Sequence, residues 1–364
     1  MNYYEKELNI IEKSNRLRNR KLFDNKLIDL ASNDYLGLST KKSLLKKTYK
    51  KLKEERYFSP KSSMLVNGYS NIHNKFEKKL CKLNNFEQGI VVGSGFLANI
   101  ALIESLIRKK DILFIDEEYH ASGMLATKLV QGEVVVFKHN DTEDLENKIS
   151  SLSYTPNRIV IAIEGVYSMG GDIAPKEFNE IASKHNAILI VDEAHSSGVI
   201  GKNLLGWFDY YGIEPQSNHI KMGTLGKAYG SYGAYILASH SIISFLENRA
   251  KPIIYGTAPS LFDIALAYTN LTYLQKYKKK IKKRIAKNQR IVKKYLNIDA
   301  KSLIVPIEIG DNKKVIDMQT ELIEKGYLVG AIRQPTVSKA IIRMIIKLDI
   351  KEKDLKVVVR YLKN

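Results

Sequence analysis

The sequence predicts an α/β protein with a mostly parallel, seven-stranded sheet covered by helices, followed by a smaller α+β domain. Short apolar runs rich in β-branched residues recur about every 20–30 residues through the first two thirds of the chain. Nearly unbroken apolar runs are typical of strands buried on both faces. Amphipathic stretches such as residues 177–185 fall between the runs, which is the alternation expected of helices packed on a parallel sheet.

The predicted elements follow in chain order. The strands of the large sheet are GIVVG (89–93), ILFI (112–115), VVVF (134–137), IVIAI (159–163), AILIV (187–191), HIKMG (219–223) and AYILA (234–238). A long helix with a lysine-coated face is predicted over 261–297, because apolar residues recur there at helical spacing. The last region alternates strands over 302–310, 327–332 and 340–347 with helices over 313–325 and 351–362.

These elements predict four parts of the chain. They are an N-terminal segment (1–45), a large α/β domain (46–260), a long connecting helix (261–297) and a small α+β domain (298–364).

Composition narrows the class of protein. Hydrophobic residues make up 44% of the 364 residues, which fits a folded protein rather than a disordered one. We expect no membrane span and no signal peptide, because no apolar run is long enough. The single cysteine, Cys81, excludes an internal disulfide and favours a reducing cytoplasm. The net charge of +19 fits either a nucleic-acid binder or a lysine-rich solvated surface, and we expect the second.

Polar residues and glycines directly follow five of the predicted strands. In an open α/β sheet, ligands bind beyond the carboxyl ends of the strands. The segments there are Ser94-Gly95-Phe96, Asp116 to His120, Glu164 to Ser168, Asp192 to His195 and Thr224 to Lys227. Because five separate segments bring reactive groups to one edge, we expect a ligand site there.

This set of residues suits pyridoxal phosphate, which needs a Schiff-base lysine and an acidic partner for its ring nitrogen. Lys227 has glycines close on both sides, which leaves room around a nucleophilic amine. Asp192, with His195 three residues on, would keep a ring nitrogen protonated, and His120 could lie flat on the ring. The phosphate needs N–H groups at a helix start and hydroxyls, which Ser94, Gly95, Phe96 and Thr224 supply.

Other classes of protein stay open on these residues alone. Asp-Glu-Ala-His at 192–195 also matches a metal-binding strand of some helicases, but that class requires a G-x-x-x-x-G-K-[ST] loop. Neither Gly201-Lys202 nor Gly226-Lys227 fits it. A metal hydrolase would use His120, His195 and Asp192, and a binding or scaffold protein would use none of these groups.

Longer motifs identify a family resemblance that runs nearly end to end. They are SNDYLGLS (32–39), NGYSNIHNKFEKKL (67–80), GSGFLANIAL (93–102), DEEYHAS (116–122), KHND (138–141), EGVYSMGGDIAP (164–175), VDEAHSSGVIG (191–201), GTLGKAYGSYGAYILAS (223–239) and YGTAPS (255–260). With them the chain resembles the α-oxoamine synthases, which are pyridoxal-phosphate enzymes of the aspartate-aminotransferase-like fold type I. The resemblance implies this fold, this cofactor and acyltransferase activity.

The resemblance also implies a role for each matching position. Lys227 would bond covalently to the cofactor, Asp192 would pair with its ring nitrogen and His195 with its ring oxygen. His120 would stack on the ring. Ser168 and Glu164 would lie near the ring oxygen. Gly95, Phe96 and Thr224 would hold the phosphate, joined by Thr257 of a second subunit, which implies a homodimer with shared active sites.

Substrate contacts are implied in the same way. Asn33 and Arg343 would bind the amino-acid carboxylate, and Arg333 would assist there or steer the acyl substrate. AIRQPTV (331–337) is most similar to the biotin-pathway branch of the family. That branch condenses L-alanine with a pimeloyl thioester of coenzyme A (pimeloyl-CoA) or of acyl carrier protein. The glycine-using branches, glycine C-acetyltransferase and 5-aminolevulinate synthase, are the alternatives, and no nucleic-acid or membrane partner is expected.

The chain departs from the family pattern at three places. Gly170 stands where the family commonly has Asp, and Met64 where many members have Arg. The loop before Arg343 is short and lacks the usual Pro-x-Gly. These departures bear on recognition of the acyl group and of the amino-acid carboxylate, and they leave the strand-end residues intact.

Overall fold

The structure, a computed structural model, describes residues 3–363. They form two compact units. The large unit contains Leu36–Ser168 and Asp172–Lys283, and the small unit contains the described residues up to Tyr35, Met169–Gly171 and those from Arg284 onward.

The strands in chain order are β1 (Ile28–Leu30), β2 (Gln88–Val92), β3 (Ile112–Asp116), β4 (Glu133–Phe137), β5 (Ile159–Glu164), β6 (Ile188–Asp192), β7 (His219–Thr224), β8 (Ala234–Ala238), β9 (Ile304–Gly310), β10 (Tyr327–Ile332) and β11 (Ala340–Ile345). The helices are α1 (Glu5–Lys13), α2 (Lys42–Leu52), α3 (Asn71–Asn84), α4 (Gly95–Leu106), α5 (Ala121–Ala126), α6 (Thr142–Ser150), α7 (Glu177–Lys184), α8 (Trp207–Tyr211), α9 (His240–Arg249), α10 (Lys251–Ile254), α11 (Leu261–Leu296), α12 (Asn312–Glu324) and α13 (Glu352–Tyr361). A single π turn covers Met64–Gly68, and a short 3₁₀ turn covers Thr127–Leu129.

The large unit is built on a seven-stranded sheet in the order β2-β8-β7-β6-β5-β3-β4. Strands β4, β3, β5, β6 and β7 run parallel to one another. Strand β8 runs antiparallel to both of its neighbours, β2 and β7. Residues such as Phe114, Ile161 and Leu189 are fully buried, because apolar side chains on both faces of these strands are covered. The parallel strands therefore all end at one edge, as the sequence predicts.

The small unit holds a four-stranded sheet in the order β1-β10-β11-β9. Its C-terminal strands pair antiparallel, whereas β1 adds in parallel to β10 through the register Ile28 to Tyr327. The sequence indicated the three C-terminal strands. It gave no signal for β1, which is only three residues long.

The fold class and the predicted strands of the large sheet are confirmed, each within one or two residues. The long helix, predicted over 261–297, is α11. The domain limits predicted at residues 45, 260 and 297 stay a prediction. Within residues 3–363, no helix combines the length and apolar character needed to span a membrane.

Candidate active site

A cavity of about 150 Å³ lies in the large unit at the carboxyl ends of the parallel strands. Most of the residues predicted from the strand ends line it: Gly95, Phe96, His120, Glu164, Asp192, His195, Thr224 and Lys227. The structure thus brings together the groups that five separate segments supply. Asn99, Ala194 and Met222 also line the cavity, and the sequence had not singled them out.

The start of α4 forms one wall of the cavity. Ser94 caps this helix, since its Oγ accepts a hydrogen bond from the N–H of Leu97 at 3.2 Å. Among the described residues, no hydrogen bond occupies the next two N–H groups, those of Gly95 and Phe96. A helix start with open N–H groups and a positive dipole end attracts a phosphate.

Thr224, at the end of β7, lies beside these open N–H groups at the start of α4. A Cβ at Gly95 would lie 2.6 Å from the Thr224 Cγ2, so only glycine lets the helix approach so closely. The Thr224 Oγ1 is buried and has no hydrogen-bond partner among the described residues. Since a buried hydroxyl without a partner is costly, this atom fits a ligand oxygen. The residues present therefore fit the phosphate end of pyridoxal phosphate.

Asp192 ends β6 and is only 4% exposed. Its Oδ1 accepts from the backbone N–H of Ala194 at 2.9 Å, and its Oδ2 accepts from the Asn99 Nδ2 at 2.9 Å. Two donors aimed at the carboxylate stabilise its negative charge in a water-poor site. A fixed, charged carboxylate is what a protonated pyridine nitrogen requires.

Asn99 is the functional candidate that the sequence analysis missed. It is 1% exposed on α4, and its Nδ2 donates to the Ser122 Oγ at 2.9 Å as well as to Asp192. The Tyr119 hydroxyl donates to its Oδ1 at 2.9 Å. Only its place one helical turn after Gly95 could have drawn attention to it, because an apolar helix interior gives no signal for one amide.

His120 lines the cavity and caps α5. Its Nδ1 lies 2.7 Å from the Ser122 Oγ and accepts from the Ser122 N–H at 3.2 Å. An Nδ1 that accepts a backbone N–H carries no proton, so the ring proton is on Nε2. Burial lowers the pKa of His120, and the positive charge of Lys227 adds to this against the charge of Asp192. The imidazole is therefore neutral at pH 7.

Glu164 ends β5 and faces the same cavity. Burial, reinforced by the charge of Asp192, raises the pKa of Glu164 well above its usual range. Its Oε2 accepts from the N–H of Ser168 at 3.1 Å, and its buried Oε1 has no partner among the described residues. A protonated Glu164 can thus donate into the cavity. Ser168 is 8% exposed and lies beside Glu164 rather than on the cavity wall.

The remaining predicted site residues lie outside this cavity. Thr257 is exposed in the large unit, where it forms an isolated bridge with Ser63. In the small unit, the buried Arg343 of β11 donates from Nη1 to the Asn33 Oδ1 at 3.0 Å. Arg333 donates from Nη1 to the carbonyl oxygen of Asn15 at 2.6 Å, and both of its terminal nitrogens reach the carbonyl oxygen of Leu17.

Across residues 3–363, no group of three or more His, Cys, Asp or Glu side chains is arranged to hold a metal ion.

Comparison with known proteins gives a consistent result. A family model described as aminotransferase class I and II matches residues 25–362. The 8-amino-7-oxononanoate synthase of Helicobacter pylori (strain ATCC 700392 / 26695) is 46% identical over 363 residues, which cover 99% of this chain and 97% of that protein.

Solved structures share the fold. Serine palmitoyltransferase K265A from S. paucimobilis, with a bound PLP–myriocin aldimine, superposes with a TM-score of 0.90 at 24% identity, covering 100% of this chain and 98% of the other. The 8-amino-7-oxononanoate synthase from Francisella tularensis superposes with a TM-score of 0.78 at 26% identity, covering 93% and 98% of the two chains.

Proposed function

We propose that this chain, which belongs to the aminotransferase class I and II family and within it to the 8-amino-7-oxononanoate synthases, condenses L-alanine with a pimeloyl thioester. The products are 8-amino-7-oxononanoate, carbon dioxide and the free thiol, in biotin biosynthesis. The observation that carries the proposal is the meeting of Lys227, Asp192 and the start of α4 around one cavity.

The chemistry is that of a pyridoxal-phosphate acyltransferase. When bound, pyridoxal phosphate supplies an aldehyde that takes up the amino acid and a protonated ring that accepts the electron pair released at the α-carbon. The Nζ of Lys227 lies in the cavity, where it would hold the cofactor through the aldehyde and, as a free amine, would take the α-proton of the amino acid. No other lysine lines the cavity within the described part of the chain.

The other cavity residues orient the cofactor and control charge. Asp192 holds the proton on the ring nitrogen, because a neutral ring would not accept the electron pair. The neutral imidazole of His120 would lie against the ring without opposing the ring's positive charge. Glu164 and His195 would hydrogen-bond the ring oxygen, and the N–H groups of Gly95 and Phe96 would hold the phosphate.

Substrate recognition is assigned to the small unit. The Arg343 guanidinium, held by Asn33, is the cation for the carboxylate of L-alanine. Arg333 would assist there or steer the acyl substrate. The thioester carrier is coenzyme A or an acyl carrier protein, and both are acidic partners that suit a chain of net charge +19.

We also propose a homodimer in which Thr257 of each subunit reaches the phosphate of the other. The exposure of Thr257 supports this, since the residue lies outside the cavity of its own chain. A reducing cytoplasm is the proposed location, because the lone Cys81 is a buried free thiol.

A substrate panel on the purified holoenzyme tests the activity. L-alanine, glycine and L-serine are each combined with pimeloyl-, acetyl- and succinyl-thioesters, and thiol release and product mass are measured. We expect the highest kcat/KM for L-alanine with the pimeloyl thioester. Preference for glycine with an acetyl or succinyl thioester would instead assign the chain to one of the glycine-using branches.

The Lys227→Ala variant tests the chemistry. We expect it to lose both condensation and the absorbance band of lysine-bound cofactor. A band like that of the wild type would show that another residue bonds to the cofactor.

A further inference from the structure

A chain of hydrogen bonds in the cavity wall joins Asp192 and His120, the two groups proposed to face the cofactor ring. Asn99 is its centre: the Nδ2 donates to the Asp192 Oδ2 and to the Ser122 Oγ, both at 2.9 Å. From Ser122 the chain continues to the His120 Nδ1 at 2.7 Å. Asp192 and His120 are thus two ends of one network.

The orientation of the Asn99 amide is fixed. The Tyr119 hydroxyl approaches the Oδ1 at 2.9 Å, and the opposite orientation would point this oxygen at the carboxylate of Asp192. Both N–H hydrogens of the amide therefore form hydrogen bonds. One starts a first branch, to Ser122 and His120, and the other starts a second branch, to Asp192. Because Asn99 is 1% exposed, loss of either acceptor would leave a buried N–H group without a partner.

The first branch sets the protonation of His120. Because the Ser122 Oγ accepts from Asn99, its own hydrogen is directed to the His120 Nδ1, where the Ser122 N–H also donates. Two donors at Nδ1 leave the ring proton on Nε2. A doubly protonated imidazole would lose these bonds and would place a positive ring on a protonated cofactor ring.

The second branch sets the orientation of Asp192. Its Oδ1 is held by the Ala194 N–H, and its Oδ2 is held by Asn99. Two donors from different elements fix the carboxylate plane, so the lone pairs that remain point in one direction. A single backbone bond would let the carboxylate rotate about its Cβ–Cγ bond.

We propose that Asn99 is a positioning residue that couples these two requirements: it orients Asp192 toward the ring nitrogen and, through Ser122, keeps His120 as the neutral Nε2–H tautomer. One amide side chain thereby fixes the carboxylate of Asp192 for the ring nitrogen and keeps the imidazole of His120 neutral beside the ring. The inference rests on the proposed function only in its use of pyridoxal phosphate; it is independent of the amino acid and the thioester.

Binding of pyridoxal phosphate to the apoenzyme, followed by fluorescence quenching, is the first test. Asn99→Ala should weaken binding about tenfold to a hundredfold, since a buried carboxylate loses one of two donors. Asn288→Ala is the matched control: Asn288 is an equally buried amide of the small unit that donates to the carbonyl oxygens of Ile346 and Lys347. We expect it to lower stability without changing the affinity.

Asn99→Asp gives a pH signature that a purely structural role would not. The new carboxyl can donate to Asp192 only while it is protonated, so the affinity should approach that of the wild type at low pH and fall as the pH rises. The titratable groups that face this position are present in both proteins, so the wild type serves as the reference at each pH: Tyr119, His120, Glu164, Asp192 and Lys227.

Ser122→Ala separates the branches. It removes the hydroxyl donor at the His120 Nδ1 and leaves the bond from Asn99 to Asp192, so the cofactor affinity should stay within about threefold. The acid limb of the kcat–pH profile should move to higher pH, because His120 then protonates more easily.

The inference is overturned if Asn99→Ala and Asn99→Asp both bind the cofactor like the wild type at every pH. It is also overturned if Ser122→Ala leaves the pH profile unchanged. If L-alanine with the pimeloyl thioester is not the preferred pair, and these cofactor affinities change as stated, the proposed substrates are wrong and the role of Asn99 stands.

Discussion

The two units present their candidate ligand groups in different ways. In the large unit, Lys227 and Asp192 follow parallel strands and share one cavity with Asn99, Glu164 and His120. In the small unit, the buried Arg343 of β11 meets Asn33, a residue 310 positions earlier in the chain. We propose that the first arrangement controls charge and proton position, and that the second supplies a cation for the substrate carboxylate. Changes in the large unit should therefore lower kcat, and changes in the small unit should raise KM.

Asp192→Asn tests the chemical side of this division and should have the largest effect. The amide removes the negative charge that holds the ring proton, and loss of one partner from a buried charged pair costs about 3–5 kcal/mol. At about 1.4 kcal/mol per decade, kcat should fall about two to four decades. Steady-state kinetics measure it. A loss of less than tenfold, with the alanine KM unchanged, would remove Asp192 from its proposed role.

Glu193, the next residue along, sharpens the comparison within the large unit. Glu193 does not line the cavity; its carboxylate forms a fully buried ion pair with Lys221 at 3.3 Å and accepts from the Trp207 N–H at 2.6 Å. The Lys221 Nζ also donates to the Leu205 carbonyl oxygen. Burial lowers the pKa of Lys221, and the charge of Glu193 opposes this.

Glu193→Ala should therefore reduce the free energy of unfolding by about 3–5 kcal/mol, because Lys221 is left buried without its anion. Denaturant unfolding measures the loss, and kcat per folded molecule should stay near the wild-type value. The double variant Glu193→Met, Lys221→Met should recover much of the stability. A double variant as unstable as Glu193→Ala would mean that the carboxylate acts through Trp207 rather than through the ion pair.

The same difference between the two units explains how well the sequence predicts each of them. Parallel strands end at one edge, so Asp192, Thr224 and Lys227 could be placed together from strand patterns alone. Glu193 directly follows the last residue of β6, and the alternation of successive side chains in extended backbone separates it from Asp192.

Residues outside that pattern could not be placed. Asn99 lies inside an apolar helix, and its network with Ser122 and Tyr119 depends on how α4 and α5 pack. The pairing of β1 with β10 joins chain segments about 300 residues apart, which no local pattern encodes. Arg333 was predicted to meet substrate from the resemblance, and the structure shows how it binds the backbone of Asn15 and Leu17.

Arg343→Gln tests the binding side of the division. The amide keeps a hydrogen bond and removes the charge, so a carboxylate loses a charge-assisted pair worth about 1.5–3 kcal/mol. The KM for L-alanine should rise about tenfold to a hundredfold, with kcat changed much less. Arg360→Gln, an exposed arginine beside Tyr295, is the control for loss of one positive charge. An unchanged KM in the Arg343 variant would move carboxylate binding to another cation.

The smallest effect is expected at His139, which braces the strand ends of the large unit without facing the cavity. Its Nδ1 bonds the buried Asp116 at 3.1 Å, and its Nε2 bonds Asp172 at 2.9 Å. Burial would lower the pKa of His139, but the hydrogen bonds to Asp116 and Asp172 outweigh it and raise the pKa to about 10, from 6.5.

Because the pKa of His139 is raised in the folded state, the protonated histidine contributes to the free energy of unfolding. This contribution is fully present below about pH 6.5 and is lost as the pH rises through about 10. Between pH 7 and 10 the wild type should therefore lose about 1 kcal/mol more unfolding free energy than His139→Gln, since partial solvent exposure weakens the pairs. Taking the difference between the two proteins cancels the lysines and tyrosines that titrate in the same range. Equal pH slopes would show that the histidine is neutral, and the strand ends would then be held by hydrogen bonds from an uncharged imidazole.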